Sequence, residues 1–162
     1  MRGRLLIFCG VPGSGKTTIA RLVAESIDKA ILVQTDDVRA MLAHPTFSGD
    51  ESRFVYDACF GVAEEALKSG YVVFLDATFT REEYRSEARR ALRKHSTKFD
   101  TVYIECSLET ALRRNARRDA PVPSDKVKGM FSRFEVPRRA LRIDSTRLSP
   151  RVAAKRIKRA LF

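Results

Sequence analysis

Tryptophan is absent from this 162-residue chain, histidine occurs twice and cysteine three times. Cys9, Cys59 and Cys106 lie far apart in apolar stretches, so there is neither a disulfide framework nor a C-x-x-C metal or redox motif, and core thiols are the expected reading. His44 and His95 are isolated, which offers no metal-ligand spacing and predicts surface or interface positions. No apolar run approaches the ~20 residues needed to cross a bilayer, and none of the opening residues forms a signal-peptide pattern. A cytoplasmic protein without a membrane partner is therefore expected. Internal repeats and low-complexity segments are also lacking, and the length predicts one domain over residues 1–162 with no tail.

Acidic residues become scarce only late in the chain. The formal net charge is +11, but residues 1–112 are nearly neutral at −1 and residues 113–162 carry +12. A surplus so concentrated favours a polyanionic partner, either nucleotide phosphates alone or a nucleic acid as well, although part of such a run serves as solvated helix face.

What the chain does have is Gly10-Val11-Pro12-Gly13-Ser14-Gly15-Lys16-Thr17, between the apolar run Leu5–Cys9 and a segment with Ile19, Leu22, Val23 and Ile27 at helical spacing. This is a P-loop in its required strand–loop–helix setting: glycines let successive N–H groups turn toward phosphate oxygens, and the helix adds its positive end. Gly10, Pro12, Gly13, Ser14, Gly15, Lys16, Thr17 and Thr18 are thus expected to hold ATP. Lys16 would reach the β/γ-phosphates and Thr17 would bind Mg²⁺.

Further apolar runs at Ala30–Gln34, Tyr71–Asp76, Phe99–Cys106 and Ala140–Asp144 alternate with helical patterns. They predict an α/β P-loop NTPase with a five-stranded, parallel, doubly wound sheet and helices on both faces. Ligands of such sheets bind at the carboxyl ends of the strands. The second run delivers Thr35-Asp36-Asp37-Val38-Arg39 there, with Asp36 placed to accept an acceptor proton, Arg39 to hold an acceptor anion, and one of the two aspartates expected to cap a helix over Val38–Ala43. The third ends in Asp76, a Walker B carboxylate for Mg²⁺, followed by Thr78. Phe54, Val55, Ala58, Cys59, Val62, Ala63, Ala66 and Leu67 predict a helix buried along a broad stripe. In the next helix Tyr84, Ala88, Ala91 and Leu92 are expected inward and Arg85 toward the acceptor. Arg114 and Arg118, one helical turn apart, would brace the migrating phosphoryl from a helical lid at about residues 114–137.

With these motifs placed, the chain resembles P-loop kinases of the polynucleotide 5′-hydroxyl kinase and L-seryl-tRNA(Sec) kinase type. The likeness rests on the P-loop, Thr35–Arg39, Leu75-Asp76-Ala77-Thr78 with Arg85, and the lid pattern Arg114-Asn115-x-x-Arg118, Val122-Pro123, Met130 and Phe134-Glu135-Val136-Pro137. It implies an ATP- and Mg²⁺-dependent kinase with a hydroxyl acceptor on RNA or tRNA. The implied roles are Lys16 and Thr17 on phosphates and Mg²⁺, Asp36 as general base, Arg39 on an acceptor anion, and Arg114 and Arg118 as lid arginines; the residues themselves add Asp76 at the metal and Thr78 and Arg85 at the acceptor. Two departures stand out. Phe79 occupies the position where these families carry Asn, and the C-terminal tRNA-binding domain of the seryl-tRNA kinase is not in this sequence, which suggests a separate RNA-binding subunit. A metabolite kinase and a slow nucleotide-controlled ATPase are the alternatives.

Overall fold

The computed structural model describes residues 3–162; residues 1 and 2 of the expected domain lie outside the described residues. Five strands form one parallel sheet, β1 (Gly3–Cys9), β2 (Ala30–Gln34), β3 (Val72–Asp76), β4 (Ser96–Glu105) and β5 (Leu141–Asp144), in the order β2-β3-β1-β4-β5. The helices are α1 (Lys16–Ala24), α2 (Thr35–Ala40), α3 (Gly49–Lys68), α4 (Glu82–Leu92), α5 (Leu108–Asn115), α6 (Ser124–Ser132) and α7 (Pro150–Leu161).

Strand β1 has neighbours on both sides and side chains buried on both faces, so it reads as a continuous apolar run. Leu5, Ile7 and Cys9 pack with α3 and α4, while Leu6 and Phe8 pack on the opposite layer with Ile19, Val23, Ala153 and Ile157 of α1 and α7. Burial pushes the Cys9 thiol up to about 12 and the Cys59 thiol up to about 11, in keeping with inert core cysteines.

Three expectations change. Helix α3 begins at Gly49, because Ser48 caps it by accepting the Glu51 N–H at 3.1 Å; its buried stripe is Val55, Cys59, Phe60, Ala63 and Leu67, narrower than expected, with Phe54 and Val62 exposed. Helix α2 begins at Thr35 with Gln34 at its N-cap, so Asp36 and Asp37 both lie inside its first turn and neither is the cap. In helix α4 Ala88 and Leu92 are buried as expected, but the third buried side chain is Arg85, while Tyr84 and Ala91 are exposed. Phe79 takes a left-handed conformation (φ 45°) with its ring fully buried, 5.5 Å from that of Tyr56. It is a packing residue and presents no polar group to a ligand.

Candidate active site

The loop between β1 and α1 lies at the carboxyl ends of β1, β2 and β3 and is held by contacts that only glycine allows. Gly13 has φ 81°, and a Cβ there would stand 2.2 Å from the Ala111 carbonyl of α5. The loop therefore curls tightly under the lid because position 13 has no side chain. Gly15, at φ 85°, is the N-cap of α1, whose first turn carries Lys16 and Thr17 with their N–H groups free of helical partners. Thr18, expected among the ATP-binding residues, is exposed on α1.

Lys16, Thr17, Asp36, Asp76 and Thr78 meet around one small cavity, together with Gln34, Thr35 and Ala77. Thr17 donates its hydroxyl proton to Asp76 Oδ2, while Asp76 Oδ1 and Ser14 Oγ are buried without a hydrogen-bond partner. Burial raises the Asp76 carboxyl above its ordinary range, against the lowering influence of Lys16 and of the Thr17 hydroxyl. A buried carboxylate with an open oxygen beside a hydroxyl is a hard-oxygen donor set suited to Mg²⁺, which takes one or two protein oxygens and completes its shell with phosphates and water. No group of three or more His, Cys, Asp or Glu side chains forms a metal cage among the described residues.

The lid arginines reach this site by different routes. Arg114 donates to Ser145 Oγ (3.1 Å) and to the Ser145 carbonyl (2.8 Å), and Ser145 Oγ donates to the Ser14 carbonyl of the P-loop (2.6 Å). The loop after β5 thus ties α5 to the phosphate cradle. Arg118 lies past the end of α5, in the turn that follows, and pairs with Asp36 across the crevice at 3.2 Å. Asn115 closes the α5–α6 connection by donating to the Val122 carbonyl (2.7 Å) and accepting the Val122 N–H (3.2 Å).

Two expected acceptor residues are engaged elsewhere. Arg39 pairs with Glu51 of α3 and stacks on Phe47 at 4.8 Å. Arg85 is fully buried. It donates to the carbonyls of Phe79 (2.5 Å) and Glu135 (2.6 Å) and pairs with Glu82 at 2.9 Å. This corrects its expected position at the acceptor: a guanidinium so saturated fastens the segment after α6 to α4. The Phe-Glu-x-Pro stretch completes that fastening, since Glu135 also accepts the Glu82 N–H (2.8 Å) and Phe134 stacks on Tyr103 at 5.0 Å. A much larger cavity of about 1030 Å³ lies beside this strap, lined by Arg85, Arg89, Phe99, Arg138 and Arg139, away from the P-loop.

Sequence reasoning missed Ser145 and Glu51. Ser145 carried no local signal, because its partners lie 31 and 131 residues away. Glu51 did carry one, the Ser48-x-x-Glu51 pattern of a helix start.

The P-loop between β1 and α1 and the parallel sheet order β2-β3-β1-β4-β5 together define a domain of the P-loop kinase fold. Residues 5–137 match the AAA_33 family of AAA domains, and the chain belongs to that family. The L-seryl-tRNA(Sec) kinase of Methanococcus maripaludis is 27% identical over 138 residues, which cover 82% of this chain and 53% of the relative. The chain thus spans about half the length of that protein. Among solved structures, the APS kinase CysC of Mycobacterium tuberculosis in complex with AMPPNP and APS superposes with a TM-score of 0.80 at 22% identity, over 99% of this chain and 98% of that one. A chain of the Pnkp1/Rnl/Hen1 RNA repair complex superposes with a TM-score of 0.73 at 20% identity, over 82% of this chain and 44% of its own.

Proposed function

We propose that this domain transfers the γ-phosphoryl group of ATP to a hydroxyl carried by an RNA or a tRNA-linked group. The observation that carries the reading is the convergence of Asp36 with Lys16, Thr17 and Asp76 on one cavity, with Arg118 across its mouth. The P-loop amides and Lys16 hold the β- and γ-phosphates. Asp36 takes the proton of the acceptor hydroxyl as that oxygen bonds to the γ-phosphorus and the bond to the β–γ bridging oxygen breaks, releasing ADP. Arg114 and Arg118 add positive charge where the transferring group gains negative charge. Mg²⁺, held through Thr17 and Asp76, supplies charge neutralisation at the phosphates when bound. The +12 surplus of residues 113–162 and the likeness to a seryl-tRNA kinase favour a nucleic-acid acceptor, presented by this chain or with a separate RNA-binding subunit.

A metabolite acceptor is the second reading, favoured by the nearly end-to-end superposition on the APS kinase, which the seryl-tRNA relative does not match in coverage. Transfer from γ-labelled ATP with Mg²⁺, offered in parallel to total tRNA, 5′-hydroxyl oligonucleotides and hydroxyl metabolites, separates the two. Label on nucleic acid that disappears with Asp36→Asn supports the first reading. Label only on a metabolite replaces it with the second, and label released only as free phosphate identifies an ATPase.

A further inference from the structure

The loop between α2 and α3 is built to present one aromatic ring. Glu51, in the first turn of α3, accepts the backbone N–H groups of Thr46 and Phe47 and the Thr46 hydroxyl, and pairs with Arg39. Burial opposes ionisation of Glu51, but these hydrogen bonds together outweigh it and hold the carboxyl below its ordinary value. Around this carboxylate Phe47 adopts a left-handed backbone (φ 58°) and leaves its side chain two-thirds exposed (66%). A Cβ-bearing aromatic disfavours that conformation, and an exposed ring forgoes the gain of burial. Neither feature serves the core.

The ring is linked to the crevice through α2. Asp36 and Arg39 are neighbours on α2, three residues apart, and the Arg39 guanidinium lies over the Phe47 ring at 4.8 Å. The guanidinium rests on the ring, and the residue still keeps two-thirds of its surface exposed. We infer that Phe47 is a stacking platform that holds a nucleobase of the acceptor, with Arg39 as its backing and Glu51 as its anchor. The inference rests on the nucleic-acid reading of the proposed function. It deepens that reading by naming how an acceptor nucleotide is oriented so that its hydroxyl meets Asp36. Flat apolar faces recognise bases with little regard to sequence, and Arg polarises the same stack.

The absence of tryptophan from the chain makes the test direct, because Phe47→Trp introduces a sole tryptophan at the platform, excited selectively at wavelengths where tyrosine does not absorb. A 5′-hydroxyl RNA oligonucleotide should quench it saturably, and the same oligonucleotide with an abasic terminal residue should not. Phe47→Ala should raise the acceptor KM by about 5- to 150-fold, with kcat, the KM for ATP and the melting temperature nearly unchanged, and Phe47→Trp should restore the KM. Equal quenching by the abasic oligonucleotide, or an acceptor KM indifferent to Phe47→Ala while RNA is still phosphorylated, overturns the platform and leaves the kinase reading standing. Phosphorylation confined to a metabolite without an aromatic ring overturns both. A free nucleotide as acceptor, with the same dependence on Phe47, upholds the platform and moves the acceptor class.

Discussion

Arg118, beyond the end of α5, donates to Asp36 at the start of α2 across a sequence separation of 82 residues, at 3.2 Å. The contact spans the crevice beside the P-loop and sets a cation from the segment after α5 against the carboxylate proposed to take the acceptor proton. Both side chains are well exposed, so the pair adds at most about 1 kcal/mol of stability, and its consequence belongs to the chemistry. Asp36→Asn should lower phosphoryl transfer by about 10²–10⁴-fold with ATP affinity retained. Arg118→Ala should lower kcat by about 10³-fold without shifting the melting temperature. If kcat is unchanged in either variant, that residue has no part in transfer; titration with a nucleotide analogue checks binding independently.

Arg85 is the clearest case of a side chain whose place the sequence concealed. Buried and bonded to two carbonyls and Glu82, it is a fastening between α4 and the segment that follows α6. Arg85→Met keeps much of the volume but leaves those oxygens unpaired, at a cost of about 3–5 kcal/mol. The urea midpoint should fall accordingly, while the acceptor KM of the folded protein stays within about two-fold. A raised acceptor KM without loss of stability would return Arg85 to the acceptor.

The parts of the fold that were legible are those whose cause is local. The P-loop glycines answer to backbone geometry, and the five apolar runs answer to strands buried on both faces. Asp76 follows from its place at the end of such a run. The parts that were not legible depend on partners far along the chain. Which residue of Tyr84 and Arg85 turns inward was decided by the Glu135 carbonyl, 50 residues later. Arg39 was drawn aside by Glu51, and the role of Ser145 needs the Ser14 carbonyl, 131 residues earlier. A stripe of apolar letters also overstated burial in α3, since periodicity does not say how much of a helix its neighbours cover.

Gly13 tests the cradle apart from its charges. A Cβ at this position would both enforce a strained φ of 81° and meet the Ala111 carbonyl at 2.2 Å. Gly13→Ala should therefore cost about 2 kcal/mol or more. That predicts a fall in melting temperature of about 4–8 °C and loss of the further stabilisation that ATP with Mg²⁺ gives the unmodified protein. Thermal melts with and without nucleotide separate the two effects. A variant that melts lower but still gains fully from ATP would show that the loop keeps its form when α5 is displaced.

Ser145 offers the sharpest separation of architecture from function, because one hydroxyl links two parts of the site. Its Oγ donates to the Ser14 carbonyl and accepts from Arg114, whose second nitrogen keeps a bond to the Ser145 carbonyl. In Ser145→Ala the Ser14 carbonyl loses a buried donor, which costs about 1–3 kcal/mol. Arg114 retains one of its two tethers, so it should remain near the P-loop with greater freedom. A cation held less firmly stabilises developing charge less well. We expect a lower melting temperature together with a several-fold fall in kcat at saturating ATP, measured below the transition so that unfolded protein does not contribute. A fall in stability with kcat intact would make the Arg114–Ser145–Ser14 chain a structural brace only, and Arg114→Lys, which keeps the charge but cannot span both oxygens of Ser145, should then be equally active.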